Sequence, residues 1–205
     1  FAVMGRITLG NPKMAALLPR WREQPGMLGV RVTFNTPDLM AMLTDGRADW
    51  FWAAAEKANL PVMFLVGNQG PVMSRIAERH PGLQLVCDHM GLSVAMPEVQ
   101  AGKFEGPISH TLMLAKYPNV SVKLTSAPTY SREPYPYRDI NPHIKRLFEA
   151  FGPRSCHWGT DITNAFDRST YRQRITHFTE NFDFMSEDDK DWVMGRAILN
   201  KLRWS

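Results

Sequence analysis

Six short runs rich in β-branched and aromatic residues recur along the chain, separated by segments that carry helix start and stop signals. This alternation restricts the fold more than any other feature. The runs are FAVMGRITL from Phe1, LGVRVTF from Leu28, PVMFLV from Pro61, LQLVCDH from Leu83, VSVKLTS from Val120 and CHWGTD from Cys156. Between them, Thr36 and Pro37 form a cap and a first-turn proline, RADWFWAAAEKAN ends at Asn59, and PVMSRIAERHPG is stopped by Pro81 and Gly82. Asn141 and Pro142 open HIKRLFEAFG, and Ser186 to Asp189 resembles a capping box ahead of WVMGRAILNKL. Strands alternating with helices mean a mostly parallel α/β sheet.

Successive run starts lie 27, 33, 22, 37 and 36 residues apart, near the roughly 31 per unit of a barrel that closes eight units in about 250 residues. The spacing predicts a (β/α)8 barrel, one domain over residues 1–205. Doubly wound sheets share such spacing, but no Gly-rich phosphate loop of the G-x-G-x-x-G or G-x-x-x-x-G-K-[ST] kind is present. Six units leave two of the eight unaccounted for. Phe1 already falls in a strand pattern and no initiator Met precedes it, so the expectation is a chain that starts partway through a longer protein.

With 44% hydrophobic and 21% charged residues, the chain has the material for a sizeable core. Its apolar runs are far shorter than the roughly 20 residues of a membrane span, and no signal segment opens it; a cytoplasmic protein with no membrane partner is expected. Cys87 and Cys156 sit inside strand patterns and are read as reduced, buried thiols. Lys and Arg number 24 against 20 Asp and Glu, a net +4, but they are scattered. That argues against a nucleic-acid partner and suits a small anionic substrate. The sequence is also compatible with a homo-oligomer.

Alternation along a strand sends every second side chain to one face. In LGVRVTF, Arg31 and Thr33 oppose Val30, Val32 and Phe34; in VSVKLTS, Ser121, Lys123 and Thr125 oppose Val120, Val122 and Leu124. Arg6 opposes Gly5 and Ile7, His89 follows the face of Leu85 and Cys87 with Asp88 on the other, and Asp161 shares a face with Gly159 and His157. In a barrel whose outer strand faces pack on apolar helices, the polar faces point inward and the strand ends reach the C-terminal mouth, where such barrels build active sites. The expected site is a ring of Arg6, Arg31, His89, Lys123 and Asp161: the cations hold an anionic substrate, and His89 and Asp161 bind a metal or handle a proton. Such charges are expected to pair with one another or with a ligand, because uncompensated burial is costly. Each also has a structural alternative: His89 as a hydrogen-bonded core residue, Asp161 as a cap on the following turn, Arg31 and Lys123 in structural ion pairs. His80, His110, His143 and His177 lie in or beside helical segments and are read as exposed or helix-ending; Trp50, Phe51, Trp52, Trp192 and Trp204 are read as packing helices on the barrel.

At LVCDHMG, YPNVSVKLTS, HWGTDIT and VMGRAILNKLRW, in that order and with GVR upstream, the sequence resembles the amidohydrolase-related family, the branch that includes pyrone-dicarboxylate lactonase and sugar lactonases. The resemblance implies a (β/α)8 barrel in which an HxH pair ends the first strand, a His the sixth and an Asp the eighth. His89 matches that His, and Asp161 matches that Asp, a metal ligand or water-activating base. The chain departs from the pattern in having no HxH anywhere and no His, Lys or Glu in PVMFLV, the run that matches the fifth strand. One divalent ion, Zn or Mn, held by an upstream HxH together with His89 and Asp161, or metal-free lactonase chemistry, is therefore expected rather than a two-metal centre.

The function this leads to is hydrolysis of a small carboxylated cyclic ester or related C–O or C–N bond. Asp161 would take a proton from water, His89 or a metal it binds would polarise the carbonyl, and Arg31, Lys123 and Arg6 would hold carboxylates or the oxyanion. The alternatives are a metal-dependent decarboxylase on the same positions and a non-catalytic, degenerate or truncated barrel. SAPTYSREPYPYRD, which follows Lys123, is the candidate substrate loop.

Overall fold

A computed structural model describes residues 2–204. All six expected strands form: β1 (Val3–Gly5), β2 (Met27–Thr33), β3 (Val62–Leu65), β4 (Leu85–Cys87), β5 (Val120–Thr125) and β6 (Cys156–Gly159). They pair in parallel and in sequence order, β1 next to β2 through to β6, so every connection is a crossover to the neighbouring strand. This sheet is a half-barrel: among the described residues β1 and β6 do not pair with each other. The expectation that Phe1 already lies in the first strand falls outside the described residues.

The crossovers form where the sequence signals them. Thr36 caps helix Pro37–Met42 by accepting from Leu39 N–H at 3.3 Å. Helix Gly70–Arg79 stops before Pro81, and helix Asn141–Phe151 carries Pro142 in its first turn. Ser186 and Asp189 close a reciprocal capping box on helix Glu187–Asp191, which runs through a wide turn at Trp192–Arg196 into helix Ala197–Leu202. The tight helical segment Pro12–Glu23 escaped the sequence reading, while helices Glu105–Leu112 and Tyr171–Thr179 hold His110 and His177, which it put in or beside helical segments without giving those helices bounds.

The two faces of the sheet bury different cores. Val30, Val62, Phe64, Leu85, Val122, Leu124 and Cys156 belong to the large core beneath the crossover helices. On the inner face, Met63 and Val86 pack with Met4, Leu28 and, from the C-terminal helix, Ile198 and Leu202. Cys87 and Cys156 are free and buried. Two expectations about side chains are overturned. His177, read as exposed, is 1% exposed among Tyr137, Phe178 and Phe182, with Asn141 Oδ1 accepting from its Nε2 at 2.7 Å. Trp204, read as packing, is 44% exposed.

Candidate active site

Four of the five expected residues meet at the C-terminal ends of the strands, and the side chain that joins them is Asp88. Arg31, on the inner face of β2, donates from Nε to Asp88 Oδ2 at 2.5 Å; Lys123 Nζ, from β5, forms an ion pair with Asp88 Oδ1 at 3.0 Å. The Asp88 side chain is fully buried. Burial alone would raise its pKa, but the charges of Lys123 and Arg31 outweigh that and hold the carboxyl below the ordinary value. Arg31, Lys123 and Asp88 thus carry one net positive charge.

The sequence reading put Asp88 away from His89, and the local backbone shows why this fails. β4 ends at Cys87, so Asp88 continues the inner face of Val86. His89 (φ 52°) and Met90 (φ 60°) then turn left-handed, which ends the alternation. Gly91 completes the turn at φ +72°, where a Cβ would collide with Thr111 Oγ1, the hydroxyl that donates to Met90 O at 2.9 Å. This turn brings the His89 ring to the same side as Asp88. Arg31 Nη2 lies 3.3 Å from His89 Nε2; since Arg only donates, Nε2 accepts and the proton sits on Nδ1. Nδ1 lies 2.6 Å from Thr125 Oγ1 and 2.9 Å from Ser126 Oγ. Burial lowers the His89 pKa despite the pull of Asp88 and Asp161, so the ring is neutral.

Asp161 stands two residues beyond β6, also left-handed at φ 49°. Its side chain makes no capping bond to the turn Ile162–Asn164 that follows. Instead Oδ2 accepts from Ser126 Oγ at 2.6 Å and Oδ1 from Asn164 Nδ2 at 2.6 Å, with His89 Nδ1 3.9 Å from Oδ2. Ser126, at φ 69°, is a further non-glycine residue held left-handed at a strand end, and it links His89 to Asp161 through one hydroxyl. Arg174, 3% exposed, braces the loop from outside by donating to the carbonyls of Thr160 and Ala165 on either side of Asp161. From the tyrosine-rich segment, Tyr130 is buried and donates to Leu92 O at 2.8 Å; burial and then Asp161 raise its pKa.

Arg6 does not join this cluster. It lies one residue past β1, is exposed, and makes no ion pair or side-chain hydrogen bond among the described residues. Ser126 and Asp88 were missed by the sequence reading. Strict alternation from Val86 would have found Asp88, between two cations already read as inward; Ser126 leaves no such signal, because its placement depends on a left-handed turn. His89 Nδ1 carries the ring proton and Nε2 accepts from Arg31, so neither ring nitrogen offers a free lone pair to an ion in this arrangement, although imidazole nitrogen and carboxylate oxygen are donors zinc accepts. His89 and Asp161 are in any case two side chains, short of the three protein ligands of a catalytic zinc site, and no cluster of three His, Cys, Asp or Glu residues exists among the described residues. These residues do not by themselves make a metal centre.

The chain's fold is similar to solved structures. An amidohydrolase from Burkholderia multivorans with bound HEPES superposes with a TM-score of 0.83 at 21% identity, covering 98% of this chain and 73% of that one. The same protein with bound Zn gives 0.81 at 20% identity, with the same coverage. A probable 2-pyrone-4,6-dicarboxylic acid hydrolase from Acinetobacter baumannii with citric acid bound gives 0.70 at 15% identity, covering 99% of this chain and 73% of that one. The 5-carboxyvanillate decarboxylase from Sphingomonas paucimobilis gives 0.67 at 15% identity, covering 100% and 67%. Comparison with curated protein sequences gives no match. The family model described as Amidohydrolase matches residues 4–197, from within β1 into the C-terminal helix, and the chain therefore belongs to the amidohydrolase family.

Proposed function

We propose that this chain hydrolyses a small carboxylated cyclic ester, or a related C–O or C–N bond, with Asp161 as the water-activating base. The observation that carries the reading is the charge separation across the strand ends: a net positive group of Arg31, Lys123 and Asp88 on one side and the Asp161 carboxylate on the other. A carboxylate has about four lone-pair sites, so the bonds from Ser126 and Asn164 leave Asp161 room to accept from a water. Asp161 takes the proton as the water oxygen attacks the carbonyl, and returns it to the leaving oxygen when the ring C–O bond breaks. Arg31 and Lys123 face the developing oxyanion or a substrate carboxylate. His89 has both ring nitrogens engaged, so its part is to hold Ser126, and through it Asp161, in place. The dicarboxylic acid hydrolase and the Burkholderia amidohydrolase among the structural relatives support a hydrolase of an anionic compound. An ion such as the Zn of the Burkholderia structure, or Mn, would need further donors beyond His89 and Asp161, and no step here is routed through it.

The test is turnover of a panel of carboxylated lactones followed by pH-stat, with Asp161→Asn beside the wild type and zinc and manganese measured in the purified protein. Loss of a general base lowers kcat by about 10² to 10⁴. Undiminished turnover by Asp161→Asn would remove the proposed base. Release of CO2 without addition of water would instead assign the decarboxylase chemistry named for the Sphingomonas relative.

A further inference from the structure

Beside the charged cluster, a pocket of about 470 Å³ opens at the C-terminal ends of β2 and β3. Thr33 and Leu65 form its floor; they are register partners one rung above Arg31 and Met63 on the inner face. Two residues along a strand span ~6.6 Å, so the pocket's base stands one rung from Arg31, whose guanidinium is turned to Asp88 and His89 and does not line the pocket. The walls are largely apolar, with Phe34, Met40, Val66 and Met96 among them.

The pocket's polarity is the reverse of its neighbour's. Among the described lining residues there is no Lys, Arg or His, and Glu98 is the one charged group. Asn68, left-handed at φ 55° after β3, donates from Nδ2 to Glu98 Oε1 at 3.3 Å, joining the loops after β3 and β4 across the pocket. Glu98 pairs with no cation among the described residues, so its carboxylate keeps acceptor capacity for a ligand. A site that offers acceptors and a negative charge attracts hydrogen-bond donors and repels a second anion.

We propose that this pocket holds the non-reacting end of the substrate and selects a compound with a single carboxylate, whose apolar body ends in a hydrogen-bond donor, a hydroxyl or an amine, against dicarboxylates. The donor meets Glu98 and the carboxylate or reacting carbonyl meets Arg31. The placement of the carboxylate rests on the reading of the Arg31 cluster given above; the choice of the distal group rests on Glu98 alone.

Binding, rather than turnover, tests this. Three probes that differ at one position, 4-hydroxyphenylacetate, phenylacetate and 4-carboxyphenylacetate, are titrated by ligand-observed NMR into the wild type, Glu98→Gln and Glu98→Lys, each checked for unchanged near-UV circular dichroism. The wild type is expected to bind the hydroxyl compound at least tenfold more tightly than the dicarboxylate, with phenylacetate between. Glu98→Gln should narrow that gap and Glu98→Lys reverse it. Equal binding of the hydroxyl compound and the dicarboxylate by the wild type, binding of none of the three, or an order unmoved by Glu98→Lys overturns the proposal. Asp161→Asn is titrated in parallel. Asp161→Asn should keep the order, and a wild type that keeps it while hydrolysing none of the lactone panel leaves the pocket standing and removes the hydrolase reading instead.

Discussion

Lowering the pH from 7 to 5 is expected to weaken the fold by ~4 kcal/mol through two histidines buried in the neutral form. His157 lies on the inner face as the register partner of Lys123, has no exposure, and neither of its ring nitrogens has a partner among the described residues. Burial, reinforced by the charges of Lys201 and Lys123, pushes its pKa down to about 3. His177 is pushed down to about 4 by burial. In the unfolded chain both titrate near ~6.5. Below that value the unfolded state binds more protons than the folded one, so stability is present above it and is lost as the pH falls toward the folded values. At pH 5 each histidine is ~1.5 units below its unfolded pKa and still above its folded one, so each removes ~2 kcal/mol at 1.36 kcal/mol per unit. The assay is urea denaturation at both pH values on the wild type, His157→Met and His177→Met. His157→Met should lose ~2 kcal/mol less than the wild type between the two conditions. At pH 7 it should be at least as stable, because two unpartnered buried nitrogens are removed. A variant that loses as much stability as the wild type would refute the reasoning, since the ring would then protonate without leaving the fold.

Asp88→Asn leaves Arg31 and Lys123 facing each other without their shared carboxylate. Breaking a buried ion pair costs about 3–5 kcal/mol. Because the two cations keep 27% and 22% of their side-chain surface, ~2–3 kcal/mol is expected in a denaturation series, and a loss below ~0.5 kcal/mol would show that the cations relax into water. Arg174→Lys cannot hold the Thr160 and Ala165 carbonyls together with one fork of donors. It should lower kcat on any substrate found for this chain while KM and the melting temperature stay near wild type, and parallel losses in all three would mark Arg174 as merely structural.

The sheet was readable because its chemistry repeats. Val30, Val32, Val120, Val122 and Leu124 alternate with Arg31, Thr33, Ser121, Lys123 and Thr125, Val62–Leu65 is apolar throughout, and these patterns together with capped crossovers leave few ways to arrange the strands. The site was readable only up to the last residue of each strand. Arg31 and Lys123, inside β2 and β5, follow the alternation. His89, Ser126 and Asp161 stand past strand ends in left-handed conformations, where a side chain's direction depends on the turn rather than on parity. For that reason His89 was placed on the wrong face, Asp88 was set aside and Ser126 went unnoticed. Arg6 failed in the opposite way: parity proposed a place in the ring, but β1 is three residues long and ends before it. His177 was misjudged because a helical position alone does not say which neighbours will cover it; the aromatic residues that bury it include Tyr137, from a loop some forty positions away.

The inner-face cluster also bears on how the chain is made. Each strand pairs with the strand before it in the sequence, so β1 to β6 can add one after another as they leave the ribosome. Leu202 and Ile198 are the exception: they pack with Met4, Leu28, Met63 and Val86, residues synthesised far earlier. Until the final helix emerges, that apolar strip on the concave side of a growing sheet has no cover, and contacts of such long sequence separation are slow to form. Covering the strip therefore waits on Ile198 and Leu202, contacts of long sequence separation on a sheet whose strands otherwise pair neighbour to neighbour.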